Sequence, residues 1–493
     1  MPHRSPLIVL GLLGLVSFGL KPTDAGAEDE RFDVKEFYNQ NCASCHGRNG
    51  SGGSAPSMLN PDELKHPTDE QMYDVIARGI AEAGMPGYAK TMTAAEIRAT
   101  VIYIRELRAR HARGQLDLPK PDDAGLIQTD RHDFRFETVL GEDAALDKPW
   151  SLAILPDGAM LIAEQPGPVR LVEPDGTLHP DPLAGTPEVF YVGQGGMLEV
   201  ALHPDYATPG SAGEGWVYLA YSDKKQRDGR DVSMTKVVRA KLDRAAHALA
   251  DFETIYEADA EHYLPTRHHF GVRLVFRDGH VYFPIGDRGR QDTAQEITNP
   301  NGKVHRVRED GGIPSDNPFA HSEDGLATIW TYGNRNPQGL SLHPDTDAIW
   351  STEHGPRGGD ELNLIAAGNN YGWPKTTYGM NYNGTPVTHR TEAEGITPPV
   401  LHWTPSLAVC GTDFVTGDAF PNWKHDLLVT SLARQELRRL RLGEDADGKP
   451  AVLEEETLIA DQGRIRDVHV ADDGTVYVIF NRPGRIVRLT PAG

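Results

Sequence analysis

The chain has 493 residues, with 71 acidic against 49 basic side chains and a formal net charge of −22. That length is enough for a small domain beside a large one with its own core. That charge argues against nucleic acid or an anionic membrane surface as a partner.

At the N-terminus, His3 and Arg4 precede an apolar run from Leu7 to Leu20, and Ala25-Gly26-Ala27 offers small residues for cleavage. This reads as a signal peptide over residues 1–27, with a mature chain starting near Glu28 and residing in the periplasm. The run is too short to span a bilayer comfortably, and no other segment is suited to a membrane span.

Next comes Cys42-Ala43-Ser44-Cys45-His46, two thiols three apart followed at once by histidine. Covalent attachment of haem c requires this pattern. Cys42 and Cys45 bond to the porphyrin, and the His46 imidazole reaches the iron. Half a zinc site or a dithiol redox pair also uses C-x-x-C, but neither needs the adjacent histidine. A sixth ligand should follow, and Met85 in Gly84-Met85-Pro86-Gly87-Tyr88 is the candidate, because its flanking Gly and Pro suit an irregular loop pressed onto the iron. Met58, Met72 and Met92 read as core filler. Thr93 to Glu96 reads as a capping box opening a helix with Ile97, Val101 and Ile104 on one face. Residues 28–110 thus form an all-α domain that resembles the class I cytochromes c. From 111 to 130 the chain turns polar and Pro-rich, with Leu118-Pro119-Lys120-Pro121-Asp122-Asp123, and reads as an interdomain linker.

Over 131–493 one theme recurs, an apolar strand, a tight turn often written Pro-Asp-Gly or Asp-Gly, and another apolar strand. It spans Ser151 to Glu164, Glu199 to Tyr221, Arg273 to Asp287 and Gly339 to His354, with looser copies at Asp413 to Ser431 and Asp467 to Ile479. Asp-Gly between alternating apolar residues is a strong hairpin signal, because glycine accepts the positive φ such turns need. The spacing of about 63 residues suits a four-stranded blade with a generous loop rather than a helical solenoid unit. Six such units predict an all-β six-bladed β-propeller, with a stacked β-sandwich as the alternative.

If the turns share one end of the barrel, the residues flanking each hairpin share the other. Unusual polar residues fall at those flanks: Gln194, His269, Asp287, Arg335, Asn336, Gly355, Pro356, Arg464 and Arg466. Converging there, they would form a pocket at the mouth of the central channel. Three arginines with an Asn, a Gln and a His suit an anionic, planar, hydrogen-bonding ligand, since the guanidinium fork pairs with carboxylates. Any one of these arginines alone would read as a solvated charge.

Six ordered motifs carry a resemblance: Gly193-Gln194-Gly195-Gly196, His269-Phe270-Gly271, Ile285-Gly286-Asp287-Arg288-Gly289, Gly333-Asn334-Arg335-Asn336-Pro337-Gln338-Gly339, the run from Glu353 to Asn363, and Gly463-Arg464-Ile465-Arg466-Asp467-Val468. From about residue 135 onward the chain resembles the glucose/sorbosone dehydrogenase family, and within it the PQQ-dependent aldose sugar dehydrogenases. The resemblance implies that His269 is the general base for the sugar's anomeric hydroxyl, kept neutral with help from Arg335. It implies that Arg335 stabilises charge at the reacting quinone carbonyl and that Asp287 orients the base. It makes Gln194, Asn336, Arg464 and Arg466 the residues that grip PQQ, and the carbonyls of Gly355 and Pro356 the ligands of a Ca²⁺ touching PQQ. Glu361 and Tyr371 match a second, structural Ca²⁺ position. Thr416 stands where the glucose-oxidising branch carries a PQQ-binding lysine, and Val272 stands where a second glycine is common. His269 is preferred to His268 because the family places its base four residues before an arginine, here Arg273.

The leading expectation is a periplasmic quinohaemoprotein that oxidises aldoses to lactones at PQQ and passes the electrons to the fused haem c. Its partners would be an aldose or related sugar and a downstream acceptor such as another cytochrome or a terminal oxidase. The alternatives are a non-catalytic propeller binding module on an electron shuttle, or a Ca²⁺-dependent lactonase-like hydrolase. Cys410 is left over once the haem takes its pair, which excludes an intramolecular disulfide, and reads as a small buried residue.

Overall fold

The computed structural model describes residues 32–60 and 68–492. The leader predicted over 1–27 therefore lies outside the described residues. Among the described residues the first domain has four α-helices: α1 (Val34–Asn41), α2 (Ala43–His46), α3 (Asp69–Arg78) and α4 (Ala94–Arg113). Asp33 caps α1 by accepting from the Glu36 N–H at 2.8 Å. Thr93 and Glu96 form the expected capping box on α4, and Thr68 with Gln71 forms another on α3. These caps satisfy amide groups that helix starts leave unpaired.

Val34 and Tyr38 of α1 pack with Met72 and Ile76 of α3 and with Ile97, Val101 and Ile104 of α4. The predicted face of α4 is thus inward. Its opposite face is also buried, at Arg98, Ile102, Tyr103 and Glu106. An amphipathic helix normally leaves that side to water; here the second domain covers it. Among the described residues no helix is long and apolar enough to cross a membrane.

The second domain consists of six sheets. Blade one has three strands, Pro149–Ile154, Met160–Glu164 and Val169–Val172. Blades two to five are four-stranded antiparallel meanders whose first strands are Met197–Leu202, Val275–Arg277, Pro337–Leu342 and Val409–Phe414. Blade six joins the two ends of the domain: Arg464–Val470, Val476–Arg482 and Gly484–Pro491 are followed by Phe134–Leu140, which pairs antiparallel with the last strand. The ring is therefore closed by strand hydrogen bonds between segments far apart in sequence.

Each of the six predicted hairpins is the first strand pair of a blade. The 111–130 segment is less free than a linker. α4 runs on to Arg113, the Pro119 carbonyl accepts from the Ala460 N–H at 2.9 Å, Lys120 pairs with Asp461 at 3.2 Å, and Leu126–Ile127 joins the edge of blade six. Its prolines keep it extended, so it lies along blades five and six as a strap.

Candidate active site

The channel opens at both ends. At the turn end a cavity of about 770 Å³ is lined by Pro156, Gly158, Pro204, Asp413, Asp472 and Asp473, among others. At the opposite end a cavity of about 380 Å³ is lined by Trp150, Gln165, Gln194, Asn336, Gln338, His354, Arg464 and Arg466, with Lys148 and Tyr382 at its margin. Of the flanking residues, Gln194, Asn336, Arg464 and Arg466 line this cavity, whereas His269, Asp287, Arg335, Gly355 and Pro356 lie outside its lining. Arg464 and Arg466 belong to the first strand of blade six rather than preceding it.

His269 stands beside this cavity, and its backbone N–H donates to the side-chain oxygen of Gln194 at 2.7 Å. Its ring Nδ1 meets Asp287 Oδ1 at 2.5 Å. Asp287 is fully buried and also accepts from the Gly289 N–H at 2.7 Å and from Trp373 Nε1 at 2.8 Å. Burial works against its charge, but the His269 contact, Arg335 and the Gly289 N–H outweigh it, and the carboxyl stays below its ordinary range. His269 is held below the usual imidazole value, first by burial and then by the Arg335 charge, against the pull of Asp287. The result is a neutral imidazole fixed by its Nδ1, with Nε2 left as an acceptor. His268 instead uses its backbone carbonyl to accept from Arg288 at 3.0 Å.

Arg335 is buried, and its guanidinium donates to the carbonyls of His354 at 2.9 Å and Gly355 at 2.6 Å. It lies 5.2 Å from the Trp373 ring centre, so one tryptophan supports both Asp287 and Arg335. Arg466 lies over Trp150, 3.6 Å from its ring centre, and donates to Gln338 Oε1 at 2.9 Å and Cys410 Sγ at 3.4 Å. Arg464 donates to the Leu432 carbonyl at 3.2 Å. Burial pulls Arg464 down and brings Arg466 to about 10. Among the described residues none of these three guanidinium groups forms a salt bridge, and the Nε atoms of Arg335 and Arg466 are buried without a hydrogen-bond partner. Arg335 has the Asp287 and Glu353 charges nearby, but buried Arg466 and half-buried Arg464 line the cavity without an ion pair, and such cations call for an anionic guest. The residues fit PQQ, a planar tricarboxylate, on this ground.

The cation positions are met in different ways. A carbonyl oxygen has two lone pairs, so Gly355 can bind Arg335 and still face a hard cation. Ca²⁺ takes six to eight oxygens, and among the described residues no group of three or more His, Cys, Asp or Glu is gathered to supply them. The Gly355-Pro356 oxygens therefore fit Ca²⁺ only together with an anionic ligand. Glu361 stands opposite Glu353 in the strand register. Burial, and then Glu353, pushes the Glu361 carboxyl up. It accepts from Asn363 Nδ2 at 3.1 Å, while the buried Asn363 Oδ1 has no partner. Both Glu353 oxygens already accept, from Asn334 Nδ2 and from the Arg335 and Asn336 N–H groups, so Glu361 and the orphan Asn363 oxygen are the donors there for a hard cation. The Tyr371 hydroxyl is already engaged, donating to the Leu364 carbonyl at 2.6 Å, so only its backbone could take part.

Thr416 departs from its expected place. Its carbonyl lies against Gly474, at the turn end of blade six, so it cannot replace a lysine in the cavity. Trp150, Gln338, His354, Trp373 and Tyr382 are the residues that motif reading missed. His354 could have been found, since it ends the fourth hairpin and its neighbour Gly355 was already chosen. Cys410 is fully buried, with His354 Nε2 at 3.6 Å and Arg466 at 3.4 Å from its sulfur.

In the first domain, Cys42 ends α1 and Cys45 and His46 complete the short turn of α2, with the His46 N–H donating to the Cys42 carbonyl at 2.9 Å. His46 Nδ1 lies 3.2 Å from the Pro56 carbonyl, which fixes the ring and leaves Nε2 for iron. Met85 packs with Cys42, Met58, Leu59 and Tyr88 around the same core, whereas Met72 and Met92 are buried in it. The set fits a haem c held by two thioethers.

Comparison with known proteins agrees with this architecture. The glucose/sorbosone dehydrogenase family matches residues 146–488, and the cytochrome c oxidase cbb3-type subunit III family matches residues 33–104. The aldose sugar dehydrogenase YliI of Escherichia coli (strain K12) is 37% identical over 352 residues, covering 70% of this chain and 91% of that protein. Quinoprotein glucose dehydrogenase B of Acinetobacter calcoaceticus is 27% identical over 428 residues, covering 69% and 84%. The apo crystal structure of the soluble aldose sugar dehydrogenase from Escherichia coli matches with a TM-score of 0.65 at 34% identity, over 73% of this chain and 99% of that one. With a six-bladed propeller, a polar rim and these matches in hand, the chain belongs to the glucose/sorbosone dehydrogenase family and carries a cytochrome c domain at its N-terminus.

Proposed function

We propose that the protein is a periplasmic, PQQ-dependent aldose dehydrogenase that produces lactones and delivers the electrons to its own haem c, from which a further cytochrome or a terminal oxidase draws them. The observation that carries this reading is the pair Arg464 and Arg466, which line the cavity without a salt bridge among the described residues, beside a carboxylate-bound His269 whose N–H donates to the cavity residue Gln194. The names of the aldose and quinoprotein relatives point the same way.

PQQ, when bound, accepts hydride at a quinone carbonyl. Arg464 and Arg466 would pair with its carboxylates, and Asn336 and Gln194 would donate to its oxygens. His269 Nε2 would take the proton of the sugar hydroxyl, and the adjacent Asp287 would then stabilise the imidazolium. Arg335 would hold the negative charge that develops near it, its guanidinium already oriented by two carbonyls and Trp373. Ca²⁺ would bind together with the quinone at Gly355 and Pro356.

The test is to supply PQQ and Ca²⁺ to the purified haem-bearing chain, add a panel of aldoses and follow the haem absorbance bands. Reduction that requires quinone and sugar together is the expected result. A chain that does not take up the quinone would remove the reading.

A further inference from the structure

Immediately after the Gly355-Pro356 pair, Arg357 leaves the propeller and grips the cytochrome domain. Its Nε donates to Glu106 Oε1 at 2.7 Å and its Nη2 to Glu106 Oε2 at 2.6 Å, a bidentate pair on α4. Its backbone exchanges hydrogen bonds with Met380 at 2.8 and 3.0 Å. Met380 is fully buried within the cytochrome's own core. The same stretch then reaches Tyr382, which lines the cavity. One segment of the rim is thus part of both domains.

From this clamp a continuous series of contacts leads inward. The Arg357 guanidinium is 6.0 Å from the centre of the Tyr103 ring. Tyr103 packs on Tyr38 with ring centres 5.3 Å apart. Tyr38 is fully buried, its carbonyl accepts from the Cys42 N–H at 2.8 Å, and its hydroxyl donates to the Gly47 carbonyl at 2.9 Å. Cys42 is a haem attachment residue, and Gly47 follows the iron ligand His46. At the other end, Arg335 donates to the Gly355 carbonyl at 2.6 Å, two residues from Arg357.

We propose that this series, from Gly355 through Arg357, Tyr103 and Tyr38 to the Cys42–His46 turn, is the route by which electrons pass from the quinone site to the haem, with the Arg357–Glu106 pair as its docking clamp. The proposal rests on the quinone reading above. Oxidation of the sugar's anomeric carbon releases two electrons and two protons. The electrons cross one at a time, each converting Fe(III) to Fe(II), and an external one-electron acceptor of the cytochrome class reoxidises the iron between crossings. Tyr38, Tyr103, Glu106 and Arg357 act by position and touch no substrate. A packed, hydrogen-bonded path keeps the two centres coupled without diffusional encounter.

The experiment uses the full chain loaded with haem, PQQ and Ca²⁺ and mixed with an aldose. Two rates are read: turnover with an artificial dye that takes electrons directly at the quinone, and reduction of the haem bands in stopped flow. Glu106→Gln and Tyr103→Leu should each slow haem reduction about tenfold while leaving dye turnover unchanged, and Tyr103→Phe, which keeps the ring, should restore the parental rate. The haem spectrum and potential should stay parental in Glu106→Gln. Small-angle scattering of the quinone-free Glu106→Lys chain should show a larger radius of gyration than the parent. Parental haem reduction in both Glu106→Gln and Tyr103→Leu overturns the route while the quinone reading stands. Absence of dye turnover in the parent overturns the quinone reading and the route with it.

Discussion

At the level of single side chains, His269 is caught between two influences, burial with Arg335 on one side and Asp287 on the other. In the proposed mechanism the working form is the neutral imidazole, present above the folded-state pKa and lost as pH falls through it. Because that pKa lies below the ordinary 6.5, the acid limb of kcat/KM should fall below pH 6.5. Asp287 raises the His269 pKa, so Asp287→Asn should move the limb to still lower pH while kcat drops because the ring is no longer held. A pH–rate series on both proteins checks the sign. His269→Gln should lose about 10²–10⁴ in kcat and keep its cofactors. Arg466→Met should weaken quinone binding by about 10- to 100-fold, the scale of one lost charge-assisted contact, in an equilibrium titration. The sequence disclosed His269, Asp287 and the arginines because their motifs are local. Trp150 and Trp373 stayed hidden because their roles exist only across blades: Trp150 supports Arg466 of blade six, and Trp373 reaches back to Asp287 from the loop between the third and fourth strands of blade four.

Among strands and turns, legibility follows the chemistry of the turn. Asp278 and Gly279 have φ of +52° and +71°, and Arg277 pairs directly with His280. This is the two-residue hairpin that Asp-Gly announces. In blades one and six, the Leu155 N–H donates to the Ala159 carbonyl and the Ala471 N–H to the Thr475 carbonyl, in both cases around a positive-φ glycine. The second blade was harder to read, since a long loop separates Leu202 from Trp216. Gly279→Ala and Gly474→Ala make a paired prediction. Both impose a left-handed φ on alanine, a cost of about 1–2 kcal/mol. Only at Gly474 would the added Cβ also meet the Ala419 nitrogen and the Thr416 oxygen, each at 2.8 Å. Chemical denaturation should therefore rank Gly474→Ala as clearly the more damaging.

For the molecule as a whole, six repeats predicted a ring, but repeats do not say how a ring is fastened. The fastening is Phe134–Leu140, an N-terminal strand inserted beside the C-terminal one. Phe134 is fully buried and meets Trp423 of the neighbouring blade edge-on at 5.5 Å. Phe134→Ala should cost about 3–5 kcal/mol, seen as a lowered propeller melting transition with the haem spectrum unchanged. The docking of the cytochrome was likewise invisible in sequence. Glu106 and Arg357 are far apart in the chain, and the second buried face of α4 carries charges that read as solvent-facing.

That shared sixth blade also dictates an order of assembly. A chain made from its N-terminus presents the Cys42–His46 turn early, whereas Arg464 and Arg466 and the partner of Phe134–Leu140 arrive only with the final stretch. Haem could be attached to a nascent molecule that lacks the arginine-lined cavity, and that cavity forms in the same event that shuts the ring. On the proposed function, a product cut short before residue 464 would be a coloured protein unable to use sugar.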